Sequence, residues 1–372
     1  MTMNKKIFNL IALCVAMTLA FTSCSKDEDP LPPEKPEEPI IPEEPINPVE
    51  PVVPSEYIYV LNSGNMNSND ASLSMYNLKD GAITKDIFEA QNGRRLGDTG
   101  QDIIVYGSKM YISVSGESTI EVTDLEAKSI KQIQTDGSPR YLAVNEGKVY
   151  VSNFNGYVAR IDTTSLDVEE KVQVGRNPEQ LTVANGKLYV ANSGGADWGS
   201  EVGYDKTISV VDIASFTETK KIEVVINPTD MQSDNAGNVY VISKGNYFDI
   251  PNTLQIINTQ TDEVSVVKGI DGTVMATDGN NLYTIYSQWG VEEIFYYSYN
   301  TTTNTVLSNN FVGDTKISGP YLINYDAACE NLFITASDYI NDGDVYVFDK
   351  TNKFVNKFEV GLNPMKAVYV RK

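Results

Sequence analysis

Histidine is absent from all 372 residues. A chain without imidazole cannot run a Ser-His-Asp relay, a histidine-ligated zinc site or histidine-dependent lyase chemistry. Cysteine is nearly as scarce, with three residues, Cys14, Cys24 and Cys329. The first falls in a leader and the second at a lipidation motif, so no disulfide is expected within the folded body. Basic residues are outnumbered, 29 Lys and Arg against 50 Asp and Glu, and the net charge of −21 excludes nucleic acid as a natural partner. Helical periodicity is missing from Tyr57 onward, where Val, Ile, Tyr, Thr and Asn dominate, and this makes the class all-β.

The first residues read as an address. Asn4-Lys5-Lys6 is a basic start, and Ile7 to Ala20 is an apolar run too short for a stable membrane span. Phe21-Thr22-Ser23-Cys24 resembles a bacterial lipobox, which makes residues 1–23 a lipoprotein signal peptide and Cys24 the expected lipidated N-terminus. Ser25-Lys26-Asp27-Glu28-Asp29 resembles the acidic signal that sends lipoproteins of Bacteroides-type bacteria to the outer face of the outer membrane. From Pro30 to Ser55 the chain is nearly all Pro, Glu, Ile and Val, a composition that favours extended polyproline geometry. Residues 24–56 are thus expected to be a tether, reaching roughly 3.1 Å per residue.

Residues 57–372 repeat. Seven segments centre on an aromatic: Tyr59, Tyr111, Tyr150, Tyr189, Tyr240, Tyr283 and Phe333. In step with them runs a second series, Asn77, Asp124, Asp162, Asp212, Asn258, Asn300 and Asp349, whose side chains suit Asx turns. Glu146-Gly147, Asn185-Gly186 and Ala236-Gly237 mark tight hairpins. A four-stranded sheet cannot bury both its faces alone, and stacking copies around an axis does so. The pattern predicts a seven-bladed β-propeller of four-stranded antiparallel blades. Pro139, Pro178, Pro228 and Pro320 each open an innermost strand, and Pro364 to Val370 repeats that opening at the C-terminus. The first copy lacks this strand, so the C-terminal strand is expected to complete the first blade and close the ring.

Function must then come from loops. Those joining second to third strands, and those between blades, should share one face. They are short in blades two and three, but long at Asn62 to Asp70, Asn192 to Lys206, Ser243 to Asn252, Ser287 to Glu293 and Ser337 to Gly343. The long loops supply Asn62, Met66, Asn192, Trp198, Tyr204, Tyr247, Phe248, Trp289 and Tyr339 as candidate ligand-binding residues; the inter-blade loops add Arg94, Arg95, Arg140 and Arg176. Aromatics offer contact area with few rotors to freeze, and arginine a forked donor, so the set suits a large, flat ligand.

Gly175-Arg-Asn-Pro178, Gly186-Lys-Leu-Tyr-Val190 and Ile208-Ser-Val-Val-Asp212 resemble the repeat of YncE-like seven-bladed propellers, a likeness covering residues 57 to 370. With the lipobox, the acidic signal, the tether and the aromatic rim, the chain resembles the BtuG-type surface lipoproteins of Bacteroides. That resemblance implies capture of cobalamin and related corrinoids outside the cell, hand-off to a TonB-dependent outer-membrane transporter of the BtuB type, and no catalytic cofactor. Without histidine the protein has no imidazole to offer the cobalt. Two other classes stay open: a glycan- or protein-binding module, and a propeller enzyme using carboxylates. Asp338-Tyr-Ile-Asn-Asp-Gly-Asp344 faintly resembles a calcium loop but lacks the bidentate glutamate, and reads more simply as a polar turn.

Overall fold

The computed structural model describes residues 55–288 and 291–372. The signal peptide, Cys24, the tether up to residue 54 and Trp289 lie outside the described residues, and Glu56, the expected last residue of the tether, instead opens the first strand opposite Arg371.

Seven sheets of four antiparallel strands make up the body. Blade 4 is a simple meander of Pro178–Ala184, Lys187–Asn192, Thr207–Asp212 and Thr217–Glu223. Each blade's innermost strand packs on those of its two neighbours, all the way round. Blade 1 is assembled from both ends of the chain: Pro364–Arg371 lies beside Glu56–Asn62, with Tyr57 opposite Val370 and Tyr59 opposite Val368. The expected closure is therefore present, and the Lys372 amide donates to the Ser55 carbonyl at 2.9 Å.

All seven repeat aromatics sit on second strands and are buried. They fill the seams between blades: Tyr59 packs with Ile103, Met110 and Ile112 of blade 2, and its hydroxyl donates to the Leu125 carbonyl at 2.9 Å. Each buried ring of this kind contributes about 2 kcal/mol of transfer free energy. The Asx series holds in every blade; for example the Asp162 carboxylate accepts the Thr164 and Ser165 amides at 2.9 and 2.7 Å, and Asn258 accepts the Gln260 amide at 3.0 Å. These turns lie at the ends of the third strands.

Two short elements depart from the all-strand expectation, a three-residue 3-10 turn, Gly195–Asp197, in the blade 4 loop and a helix. A six-residue helix, Ile87–Asn92, links blade 1 to blade 2, buries Ile87 and Phe88, and ends on Gly93 in the left-handed conformation. The helix was not legible as a period because one and a half turns carry too few residues to show one. It caps a first blade whose outermost strand is only Ile83–Thr84.

Candidate functional site

The loop face is built on a repeated clip. In blade 4 the second strand ends in Asn192, which is fully buried; its Nδ2 donates to Thr207 and Ser209 at 3.0 and 2.9 Å, and its Oδ1 accepts the Gly175 amide at 3.0 Å. A Cβ on Gly175 would stand 2.3 Å from the Asn192 side chain, so only glycine fits there. Asn62 makes the donor half of this clip in blade 1, its Nδ2 bonding Ser72 and Ser74 at 3.1 and 2.9 Å against Gly361, while its Oδ1 has no partner among the described residues. In the Gly-x-Asn-Pro segments, Asn177 and Asn363 take positive φ and accept the Ser193 and Ser63 amides. The structure thus places Asn62 and Asn192 beneath the loops, as their anchors, and out of reach of solvent.

Above the clips rise the long loops of blades 4, 5, 7 and 1, while blades 2 and 3 stay low; the blade 6 loop falls partly outside the described residues. Met66, Trp198, Tyr247, Phe248 and Tyr339 are all exposed, Phe248 at 94% and Trp198 at 71%, joined by Val202 and Ile340. Two of these loops use one device. In blade 5 the Asn246 Oδ1 accepts the amides of Phe248, Asp249 and Ile250 at 3.0, 3.0 and 2.9 Å, and Tyr247 is held at φ +60°. In blade 7 the Asp338 Oδ1 accepts the amides of Ile340 and Asn341 at 2.9 and 2.7 Å, and Tyr339 is held at φ +64°. A left-handed tyrosine costs about 1 kcal/mol or more, and the convergent amide bonds fix it there. Each turn presents a tyrosine followed by a bare apolar side chain. The Asp338 carboxyl is held low, at about 2, by those same amides and by Asn341 Nδ2. That is the polar turn of the simpler reading.

Tyr204 lies edge-on to Tyr247 at 6.5 Å, and Tyr339 edge-on to Tyr321 at 5.5 Å. Tyr204 and Tyr247 also border a cavity of 280 Å³ at the axial mouth, with Arg140, Tyr141, Glu179 and Lys244 around it.

The four arginines divide. Arg140 reaches the mouth, where it donates to Glu179 and Gln101, both at 2.8 Å, and lies over the Phe154 ring. Arg176 stays within blade 4, bonding Asp197 and the Gly203 carbonyl, so it braces the loop that carries Trp198. Arg95 donates to the Asn69 carbonyl at 3.0 Å. Arg94 pairs with Glu121 at 2.8 Å and Ser129 at 3.2 Å on the outer strands of blade 2, away from the mouth.

Sequence reasoning missed Lys244 and Asp230. Burial lowers the Lys244 ammonium and lifts the Asp230 carboxyl to about 6, although the Met275 amide donates to it at 2.9 Å. A signal existed. Lys244 follows the second strand of blade 5 at the place where blades 1, 2, 4, 6 and 7 have Ser63, Ser115, Ser193, Ser287 and Ser337.

A family model described as "Domain of unknown function (DUF5074)" matches residues 56–353. No curated protein matches the chain. Among solved structures, it is similar to a putative 6-phosphogluconolactonase from Bacteroides fragilis, at 11% identity and a TM-score of 0.58, covering 86% of this chain and 98% of that one. It is also similar to the Kuenenia stuttgartiensis hydrazine synthase, at 14% identity and a TM-score of 0.56, covering 72% of this chain and 93% of the other. At such identities the likeness carries the fold alone.

Proposed function

The chain belongs to the DUF5074 family, and from a propeller of that family crowned in this way we propose capture, rather than catalysis, as its work. The ligand is a cobalamin or related corrinoid, taken up outside the cell by a lipid-tethered protein and passed to a TonB-dependent outer-membrane transporter. The observation that carries this reading is the pair of pinned turns, Asn246-Tyr247-Phe248 and Asp338-Tyr339-Ile340, which set rings and apolar side chains out in water in a fixed pose. Exposed apolar side chains held rigid are favourable only against a partner, because preorganisation lowers the cost of binding. A broad corrin ring with an amide-bearing edge suits such a surface: exposed rings on the loops for contact, and polar groups at the mouth for its amides. Three rings each covering roughly 100 Å² would gross about 7 kcal/mol at about 25 cal/mol per Å², before association costs. Of the charge pairs on this face, Arg140 with Glu179 ties the innermost strands of blades 3 and 4 together and Arg176 with Asp197 braces the blade 4 loop, which also favours holding over turnover.

Size exclusion of the purified protein with cyanocobalamin, read at visible wavelengths, tests the reading. Coelution at one ligand per chain is expected. Trp198→Ala and Tyr247→Ala should each weaken binding by about 2 kcal/mol. No coelution at micromolar concentration would set the corrinoid aside, and wild-type affinity in both variants would set aside the crown.

A further inference from the structure

The third residues of six innermost strands line an axial chamber, and two of them, Asp102 and Lys366, are set against each other. Asp102 of blade 2 is buried, and it is fully matched: Lys366 donates to it at 2.8 Å, as do the amides of Ile103 and Leu142, both at 2.9 Å. Lys244 is different. It borders both the mouth and a chamber of 130 Å³ just below, and among the described residues its ammonium has neither a hydrogen bond nor an ion pair. Tyr141 and Thr229 border the same two spaces, and the Thr229 hydroxyl is buried with no hydrogen-bond partner. The scaffold does not require a lysine at this point, since five blades close the same turn with serine.

We propose that the chamber beneath the crown binds an oxyanion, a carboxylate or phosphate group, with Lys244 as counter-ion and the hydroxyls of Tyr141 and Thr229 as donors. Lys244, Tyr141 and Thr229 line the same two spaces and none of their side chains has a hydrogen bond among the described residues, so an oxygen ligand there would satisfy all three, and a charged one repays the desolvation of an ammonium that now has only Asp230 and Glu179 at a distance. The other charged groups around it permit this. Glu179 is neutralised by Arg140 at 2.8 Å, Asp102 by Lys366, and Asp230 already accepts the Met275 amide. Asp230 is then the one carboxylate whose charge opposes the anion, so anion binding near neutral pH should draw a proton onto it. The chamber admits one small group, such as phosphate or the end of a short carboxylic acid. The anion is either free or part of the captured molecule; cobalamin has a phosphodiester and cobinamide does not. Only that last comparison rests on the corrinoid reading.

Calorimetry of the full chain with inorganic phosphate and with succinate, against chloride at equal ionic strength, tests the site. Saturable binding of one of the two is expected, with proton uptake visible as a heat that depends on the buffer's ionisation enthalpy. Lys244→Met should weaken it about tenfold or more and Lys244→Arg should restore part of it, while Thr229→Val costs about fivefold. Phosphate and succinate no better than chloride, or wild-type binding in folded Lys244→Met and Thr229→Val, would overturn the proposal. If Lys244→Met weakens cobalamin but not cobinamide, the anion is the ligand's own phosphodiester. If it weakens neither, yet free phosphate or succinate binding is lost, the site serves a free anion. Anion binding in a protein that takes up no corrinoid would uphold the chamber and sink the corrinoid reading.

Discussion

Asn192 shows how a single side chain can look like a ligand contact and be something else. It has the chemistry to bond an amide-edged ligand and stands at the root of the longest loop, yet all its polar atoms are engaged by Gly175, Thr207 and Ser209. Asn192→Ala leaves a buried amide and two hydroxyls short of partners, and a loss of about 2–3 kcal/mol is expected in urea unfolding. Ligand affinity per folded molecule should be unchanged; a binding defect with unchanged stability would return Asn192 to the site. Asp230 behaves in the opposite sense. Its carboxyl sits at about 6 in the folded chain against an ordinary 3.8, because burial penalises the charge. The folded state keeps the proton longer than the unfolded chain does, so this group favours folding at low pH and its contribution fades as pH rises from about 4 to about 6. Asp230→Asn removes that loss, and should be more stable than the parent by about 1–3 kcal/mol at about pH 7.5 and little different at about pH 3.5. Equal stability of the two proteins at the higher pH would show that the carboxylate is better solvated than its position implies.

At the scale of the element, strands and turns were open to reading from the chain because each repeats seven times. Tyr59, its six counterparts and the Asx series mark the same two places in every blade, and Pro139 or Pro364 marks a third. Loop length was equally open: blades 2 and 3 are low because four residues or fewer connect their middle strands. What a loop does with its side chains was not, since that depends on neighbours far along the chain. Arg94 and Arg140 look alike in sequence, but one finds Glu121 on an outer strand and the other Glu179 at the mouth. The paired Asx-Tyr-apolar triplets of blades 5 and 7 were legible in principle, and were obscured by the acidic residues that follow Asp338. Lys244 was hidden differently, by standing, like Phe154 of blade 3, in a column that is serine in the other five blades. Replacing Asn246 with Ala should free the turn under Tyr247 and Phe248; weaker ligand binding by about 1 kcal/mol, with unfolding unchanged, is the expected result. Unaltered affinity would mean that the pose of those rings contributes nothing.

For the whole molecule, the same strand that completes blade 1 also fixes where the chain enters. Ser55 lies beside Lys372, at the end of the Glu56–Asn62 strand opposite the Gly64 loop, so the chain joins the body on the face away from the crown. Deleting residues 364–372 would strip one strand from blade 1 and expose the edge of Glu56–Asn62 along its length. Such a protein should be soluble only as aggregates, and a synthetic peptide of residues 364–372 should restore part of the monomer on gel filtration. A monomeric truncated form with native unfolding would mean that the remaining contacts suffice.

A wheel whose opening blade waits for the closing residues cannot lock while it is still being made. Until Pro364–Arg371 pairs with Glu56–Asn62, blade 1 lacks its innermost strand and the ring of innermost strands stays open between blades 7 and 2. Once that last strand docks, unwinding any blade means breaking the circle, and the finished protein becomes hard to unravel from either end.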